Sequence, residues 1–420
     1  MTGERGTNKM HKHYRTISEV MDYGPNITTV ILNKGVRMEK EPAAGNFTIH
    51  VQRKLITEDL PWPEFMGKRP EFPMKGERRA ERAFRCDAEG NEDAEGTFIA
   101  LQMNCDPRNG LSSTIRFNGK YNVSVEGEYT ITQNDGDVFD VNDGDTQKLG
   151  ELLQEAEHKD PERNLRYCWY EPETKEGEKI PLIIWLHGYG EGGNETKIAA
   201  TGNKVVNLIS PKIQKIFGGK AFLLAPQAPT MWMDNGSGEL ITDGSSLYIR
   251  PLERLFRDFL KEHPQVDENR VYLGGDSNGG YMSVTLAIHD PSLYAAVFPV
   301  CEARADKNIS EEDLKNLASI PTWFTAAKTD TVVLVDEYVV PTYLRLKEAG
   351  ADTHLTLWDK VLDQTGQYQN EDGTPYEYAG HWSWIPMLNN ENRLDYDGTV
   401  VMENGKAVTI CEWLAAKRKA

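Results

Sequence analysis

The chain has 420 residues, 39% hydrophobic, 9% aromatic and 27% charged, too apolar for a disordered chain and long enough for two domains or one large domain with an appendage. Lys and Arg total 47 against 65 Asp and Glu, and the resulting net charge of −18 is spread along the chain, which counts against nucleic acid or an anionic membrane as a partner. No apolar run reaches the roughly 20 residues of a membrane span, and five cysteines without a CxxC pair argue against a disulfide framework and a zinc site.

Residues 1–14 are polar and lack the apolar stretch of a secretory signal, so they read as a flexible N-terminus on a cytoplasmic protein. Residues 15–133 then read as short strands broken by turns: TTVILNKG, GNFTIHVQRK, GTFIALQMNC, STIRFNG and YNVSVEGEYTIT. Alternating β-branched and polar residues with Gly and Asn punctuation predict an antiparallel β-sandwich of immunoglobulin-like type. One long segment interrupts it, from Glu58 to Arg82, rich in Pro and charge and carrying Trp62, Phe65 and Phe72. A loop of that length is functional or mobile. It either covers the sandwich edge, forms a subunit contact, or reaches the catalytic half to line a pocket with Trp62 and Phe65.

Residues 134–164 begin with NDGDVFDVNDGDTQ, which resembles a calcium loop until the spacing is counted. From Asp140, Gly144 falls fifth rather than sixth. The stretch reads as a solvated linker, with no metal assigned.

From residue 165 to 420 the texture changes to strands alternating with helices. The strands are RYCWYEP, IPLIIWLHG, AFLLAPQ, RVYLGG, YAAVFPV, PTWFTAAK and THLTLW; helical stretches run from Tyr248 to Glu262, Gly279 to His289, Glu311 to Ala318 and Val335 to Ala349. Apolar strands alternating with helices predict a mostly parallel sheet covered by helices, an α/β domain with reactive groups on loops at the carboxyl ends of its strands.

The strongest chemical signal lies in RVYLGGDSNGGYMSVTLAIHD, where Gly275-Asp276-Ser277-Asn278-Gly279 follows a strand and opens a helix. This is G-x-S-x-G in the setting that makes a nucleophile elbow. The glycines are required because side chains two residues either side of the serine would collide with the adjoining strand and helix. An acyl-transfer serine needs two backbone N–H groups for its oxyanion. Asn278 supplies one, and the turn His187-Gly188-Tyr189-Gly190-Glu191-Gly192-Gly193 supplies the other at Tyr189. Of the downstream histidines, His289 ends a helix and His354 sits in a strand, so both read as structural. His381, in YAGHWSW, is the candidate base. Asp330, just past PTWFTAAK, is its candidate acid, with Asp336 in reserve. Trp232, Trp382 and Trp384 lie where each could form core or substrate wall.

HGYGEGG, APQAPTMW, GGDSNGGYM and the Asp330 and His381 segments together resemble the EstA-like bacterial esterases, α/β-hydrolases with an N-terminal immunoglobulin-like domain; EVMDYGPNITTVILNKG is similar to the opening of that family's β domain. The resemblance implies an α/β-hydrolase fold and a serine carboxylic ester hydrolase acting on short acyl or aryl esters. It brings kinship to feruloyl and other carbohydrate esterases, with no cofactor. Asp276 departs from the small or Cys residue that relatives carry before the nucleophile. Two other readings stand beside it. One is a prolyl-oligopeptidase-type serine peptidase, which would want a β-propeller gate. The other is an inactive polysaccharide-binding module on a hydrolase scaffold. The expected partner is a small-molecule ester, with oligomerisation possible through the β-sandwich.

Overall fold

Alternation of inward and outward side chains organises the N-terminal half. In Phe47–Leu55, Ile49, Val51 and Arg53 point inward between exposed neighbours, the pattern of a strand with one face on a core. The computed structural model describes residues 11–64 and 67–419, and these fall into two units, Met1–Glu151 and Leu152–Ala420.

The first unit contains β1 (His11–Met21), β2 (Gly24–Asn33), β3 (Phe47–Leu55), β4 (Lys75–Arg78), β5 (Ala80–Cys86), β6 (Phe98–Met103), β7 (Ile115–Phe117), β8 (Asn122–Gln133) and β9 (Val138–Gln147). They hydrogen-bond in the order β4-β3-β8-β9-β1-β2-β6-β5, with β7 on β8. The sheet folds over on itself, because Ile49 and Val51 of β3 and Ile131 of β8 share one core with Val30 of β2 and Leu101 of β6.

Sequence and structure differ here in three ways. The sheet is a single path and not antiparallel throughout, since β1 and β9 run parallel. The expected loop from Glu58 to Arg82 gives way to β4 and then β5 before it ends. The expected linker at 134–164 is about half strand: β9 belongs to this sheet, and β10 (Gln154–His158) opens the next. Acidic residues in and just before β9 face side chains of β1 and Lys34, just past β2. Asp137 takes Lys12 and Lys34, Asp140 takes His11, Asp143 takes His13, and Asp145 accepts from Thr16 and Ser18. Of the expected flexible N-terminus, residues 11–14 are strand, and residues 1–10 lie outside the described residues.

The second unit continues with β11 (Leu165–Tyr170), β12 (Ile180–Leu186), β13 (Phe222–Gln227), β14 (Val266–Asp276), β15 (Ala296–Val300), β16 (Thr322–Ala327) and β17 (Thr353–Trp358). The order is β10-β11-β13-β12-β14-β15-β16-β17. β11 is antiparallel to both neighbours, and every pair from β13 onward is parallel. All residues of β12, β13, β15 and β16 are buried, which is why the sequence reads there as continuous apolar runs.

The helices are α1 (Ile198–Thr201), α2 (Pro211–Ile216), α3 (Ile249–Glu262), α4 (Asn278–His289), α5 (Glu311–Ala318), α6 (Val339–Glu348), α7 (Trp384–Leu388) and α8 (Ile410–Ala416). In α3, Leu252, Leu255, Phe256, Phe259 and Leu260 face the core, at the spacing of an amphipathic helix. By contrast α4 is buried all round from Asn278 to Ile288, so the helix that follows the elbow runs through the middle of the unit. Among the described residues no helix is long and apolar enough to cross a membrane.

Candidate active site

β14 delivers Ser277 onto the start of α4 with φ 54° and ψ −114°, a region that costs a non-glycine residue roughly 1–3 kcal/mol. The strain is held from both sides. The Ser277 N–H donates to the Val300 carbonyl at 2.9 Å, and the Ser277 carbonyl accepts from the Tyr281 N–H at 2.8 Å. Glycines make the turn possible. A Cβ on Gly275 would stand 2.6 Å from the Leu186 and Gly279 carbonyl oxygens, and one on Gly279 would stand 1.8 Å from Leu186 O. These are backbone atoms and cannot swing away.

Ser277 Oγ lies 2.9 Å from His381 Nε2, and His381 Nδ1 lies 2.8 Å from Asp330 Oδ2. Asp330 comes off the carboxyl end of β16, and its other oxygen accepts the N–H groups of Val332 at 2.8 Å and Val333 at 2.9 Å. Its side chain is 1% exposed and that of His381 14%. An ionised carboxylate only accepts, so Nδ1 carries the imidazole proton and Nε2 is left to accept from the serine hydroxyl. The reserve acid Asp336 is exposed in the turn before α6. The other histidines serve structure. His289 Nδ1 meets Glu253, and His354 Nδ1 meets Asp395 at 2.7 Å.

The second wall of the site leaves the neighbouring strand. β12 and β14 are parallel with Leu186 opposite Gly275, so the turn at Gly188 and Tyr189 and the elbow at Ser277 and Asn278 emerge side by side. Two contacts fix that turn. His187 Nδ1–H donates to Gly188 O at 2.6 Å, and His187 Nε2 accepts from the Ala228 N–H at 3.0 Å. Burial pushes the His187 pKa down to about 4, so the ring is a neutral spacer. Asn278 opens α4, where a first-turn N–H has no intrahelical acceptor; its side-chain oxygen accepts from Met233 N–H at 2.9 Å.

The expected pocket aromatics fall into different places. Trp232 is 0% exposed and packs between His187 at 4.8 Å and Tyr248 at 5.5 Å. That corrects the substrate-wall reading: its position after a strand suggested a rim, but the ring fills the core beneath it. Trp384 stands edge-on to His381 at 5.7 Å, and half-buried Trp382 stacks on Tyr378 at 6.2 Å. Trp62 meets Phe117 edge-on at 5.3 Å, with Arg69 over its ring, contacts internal to the β unit. Phe65 lies outside the described residues.

Sequence reasoning missed three buried acidic or polar groups around this site. Asp276 and Glu191 converge on Gly188: a Cβ there would lie 2.6 Å from Asp276 Oδ2 and 3.0 Å from Glu191 Oε2. Burial, then the neighbouring Glu191, raises the Asp276 pKa well above the carboxylate range. Behind the first turn of α4, burial takes Glu302 up to about 8. The one sequence signal for any of these was the unusual Asp before the nucleophile.

Residues 13–146 match the family described as the esterase Ig-like N-terminal domain. Among solved structures, a thermostable esterase superposes with a TM-score of 0.74 at 21% identity, covering 97% of this chain and 100% of its own. An acylaminoacyl peptidase gives 0.41 at 16% identity over 69% of this chain and 48% of its own. A ferulic acid esterase gives 0.40 at 14% identity over 49% and 90%. Comparison with curated protein sequences gives no match. The N-terminal unit thus matches the esterase Ig-like N-terminal domain family, and the chain shares the fold of that thermostable esterase over nearly its whole length.

Proposed function

We propose that the chain is a serine carboxylic ester hydrolase of the α/β-hydrolase type, with its chemistry in the unit Leu152–Ala420. The observation that carries this is the continuous hydrogen-bonded chain from Asp330 through His381 to Ser277 Oγ at a strained elbow. The strand order, with an antiparallel second strand and the third and fourth exchanged, supports the fold assignment.

In this reading Ser277 Oγ attacks the ester carbonyl as His381 Nε2 takes its proton. Asp330 stabilises the imidazolium and keeps the ring in the productive tautomer. The Tyr189 and Asn278 amides bind the oxyanion. Collapse of the tetrahedral intermediate breaks the bond to the alcohol, which leaves with the proton from His381. A water, deprotonated by the same nitrogen, then attacks the acyl-enzyme, and the second collapse returns the proton to Ser277 and releases the acid.

Short acyl or aryl esters, carbohydrate-linked feruloyl or acetyl esters among them, are the proposed substrates, with Trp382 and Trp384 beside the base as the aromatic wall. The peptidase reading loses the gate it would need, because the first unit is one folded sheet and not a ring of blades. The test is hydrolysis of acetyl, butyryl, longer acyl and feruloyl esters beside aminoacyl-proline amides, with Ser277→Ala as control. Turnover of the amides in preference to every ester would overturn the assignment.

A further inference from the structure

The stretch from Asp359 to Ala379 joins the carboxyl end of β17 to the proposed base, and it folds as a hairpin of its own. Leu362 bridges Glu377 and Gln369 bridges Pro375 in antiparallel sense. The Tyr378 N–H donates to Val361 O and the Asp363 N–H to Tyr376 O, each at 2.8 Å, and the Tyr376 N–H donates to Tyr368 O at 2.9 Å. The tip closes through Asn370, whose N–H donates to Thr374 O at 2.8 Å and whose side-chain amide donates to Thr374 Oγ1 and Pro375 O. Connections of this length are uncommon in a compact unit unless they carry function.

The hairpin returns to the base through a run of rings. Tyr376 meets Tyr378 edge-on at 5.0 Å, Tyr378 stacks on Trp382 at 6.2 Å, Trp382 lies 6.0 Å from Trp384, and Trp384 stands edge-on to His381 at 5.7 Å. Tyr378 and Trp384 are buried, whereas Tyr376 and Trp382 are half-buried and keep part of their surface open. The open part of the run is therefore one ring from the hairpin and one ring beside the base. Gln364 and Gln367 stand exposed on the same hairpin.

Which half of an ester meets this surface follows from the reaction. His381 Nε2 hands its proton to the oxygen of the departing alcohol, so the alcohol lies on the His381 side of the ester when the first tetrahedral intermediate collapses. Rings that pack against that histidine and run on from it flank the alcohol and not the acyl chain. Aromatic faces accompanied by carboxamides suit an alcohol with an apolar face and several hydroxyls, because the rings cover the first while each amide offers the second both a donor and an acceptor. Glu371 and Asp372, exposed near the tip, disfavour an anionic one. We propose that the hairpin 361–378, through Tyr376 and together with Trp382, is the alcohol subsite of the enzyme and that it takes a neutral sugar. The inference deepens the hydrolase reading and rests on it for the side of the ester concerned.

The experiment compares three butanoate esters that differ only in the alcohol. They are glucose esterified at its primary hydroxyl, cyclohexylmethyl butanoate, which keeps a ring without hydroxyls, and methyl butanoate, which has neither. The wild type is expected to favour the glucose ester by kcat/KM. The ratio of its kcat/KM to that of the methyl ester should fall about tenfold in Tyr376→Ala and in Trp382→Ala, chiefly through KM. Preference for the cyclohexylmethyl ester over the glucose ester would overturn the sugar, and an unchanged ratio in Tyr376→Ala would overturn the role of the hairpin. Saturation-transfer NMR of methyl glucoside with the Ser277→Ala protein covers the case of hairpin variants that do not fold and needs no turnover. Transfer from aromatic protons of the protein to the sugar ring is the expected result, and its absence overturns the subsite. Fluorophosphonate labelling of Ser277 judges the hydrolase reading separately, so failure of one is distinguishable from failure of the other.

Discussion

Replacing Asp330 by Asn tests the proposed triad through a choice that the surrounding hydrogen bonds force on the amide. Asp330 Oδ1 accepts two backbone N–H groups, from Val332 and Val333, and Oδ2 faces His381 Nδ1. An asparagine has one oxygen for these two tasks. If its NH2 turned toward Val332 and Val333, both donors would lose their acceptor, at roughly 1–3 kcal/mol for the buried Val333 N–H and less for the part-buried Val332 N–H. If its oxygen stayed with them, the NH2 would face His381 Nδ1. The second arrangement costs far less, since a histidine needs only to exchange tautomers. Nδ1 then accepts, the ring proton moves to Nε2, and Nε2 becomes a donor toward Ser277 Oγ, so the base is gone while the fold is intact. The expected loss is about 10³- to 10⁴-fold in kcat, with KM within a few-fold and a melting temperature within a few degrees of wild type. Steady-state hydrolysis of an aryl ester and a thermal melt on the same preparation measure both. A variant keeping a tenth or more of wild-type kcat would refute the reasoning, because some other group would then be orienting His381.

Other predictions address the remaining parts of the site. Ser277→Ala is expected to abolish covalent labelling by a fluorophosphonate and to leave the circular dichroism unchanged; equal labelling at another serine in both proteins would show the nucleophile misassigned. Gly279→Ala places a methyl group 1.8 Å from the Leu186 carbonyl oxygen, and relief requires β12 and α4 to separate. The expectation is at least about 3 kcal/mol of destabilisation, the upper end for overpacking, and about 100-fold lower kcat from the displaced amides; wild-type stability by urea melt would refute it. The proposed chemistry runs through Ser277, His381 and Asp330 alone, so EDTA should leave the rate within error. Activity lost in chelator and restored by a metal would contradict the mechanism.

How much of this was legible in the sequence depended on what each residue packs against. β12, β13, β15 and β16 are buried on both faces, so their apolar runs announced them. The elbow was legible for a steric reason: only glycine fits at 275 and 279. β9 was hidden by its own chemistry. The aspartates in and just before it read as solvated, but their partners are His11, Lys12, His13 and Lys34, residues more than 90 positions away that become neighbours only when the sheet forms. β4 was concealed in the same way. Its Arg78 points inward, where Tyr129 Oη and the Ile27 and Asn104 carbonyls receive it, and a buried arginine breaks the alternation that marks a strand.

The acid pair is the sharpest case of information that no local pattern holds. Glu191 reads alone as a polar residue in a glycine-rich turn, and Asp276 as an odd neighbour of the nucleophile. Each is ordinary until β12 and β14 lie in register, which brings both against the bare face of Gly188. A Cβ at Gly188 would stand 2.6 Å from Asp276 Oδ2 and 3.0 Å from Glu191 Oε2, so the position has no room for a side chain. The departure at Asp276 is therefore read together with Glu191, because an oxygen of each lies beside the same backbone position at Gly188.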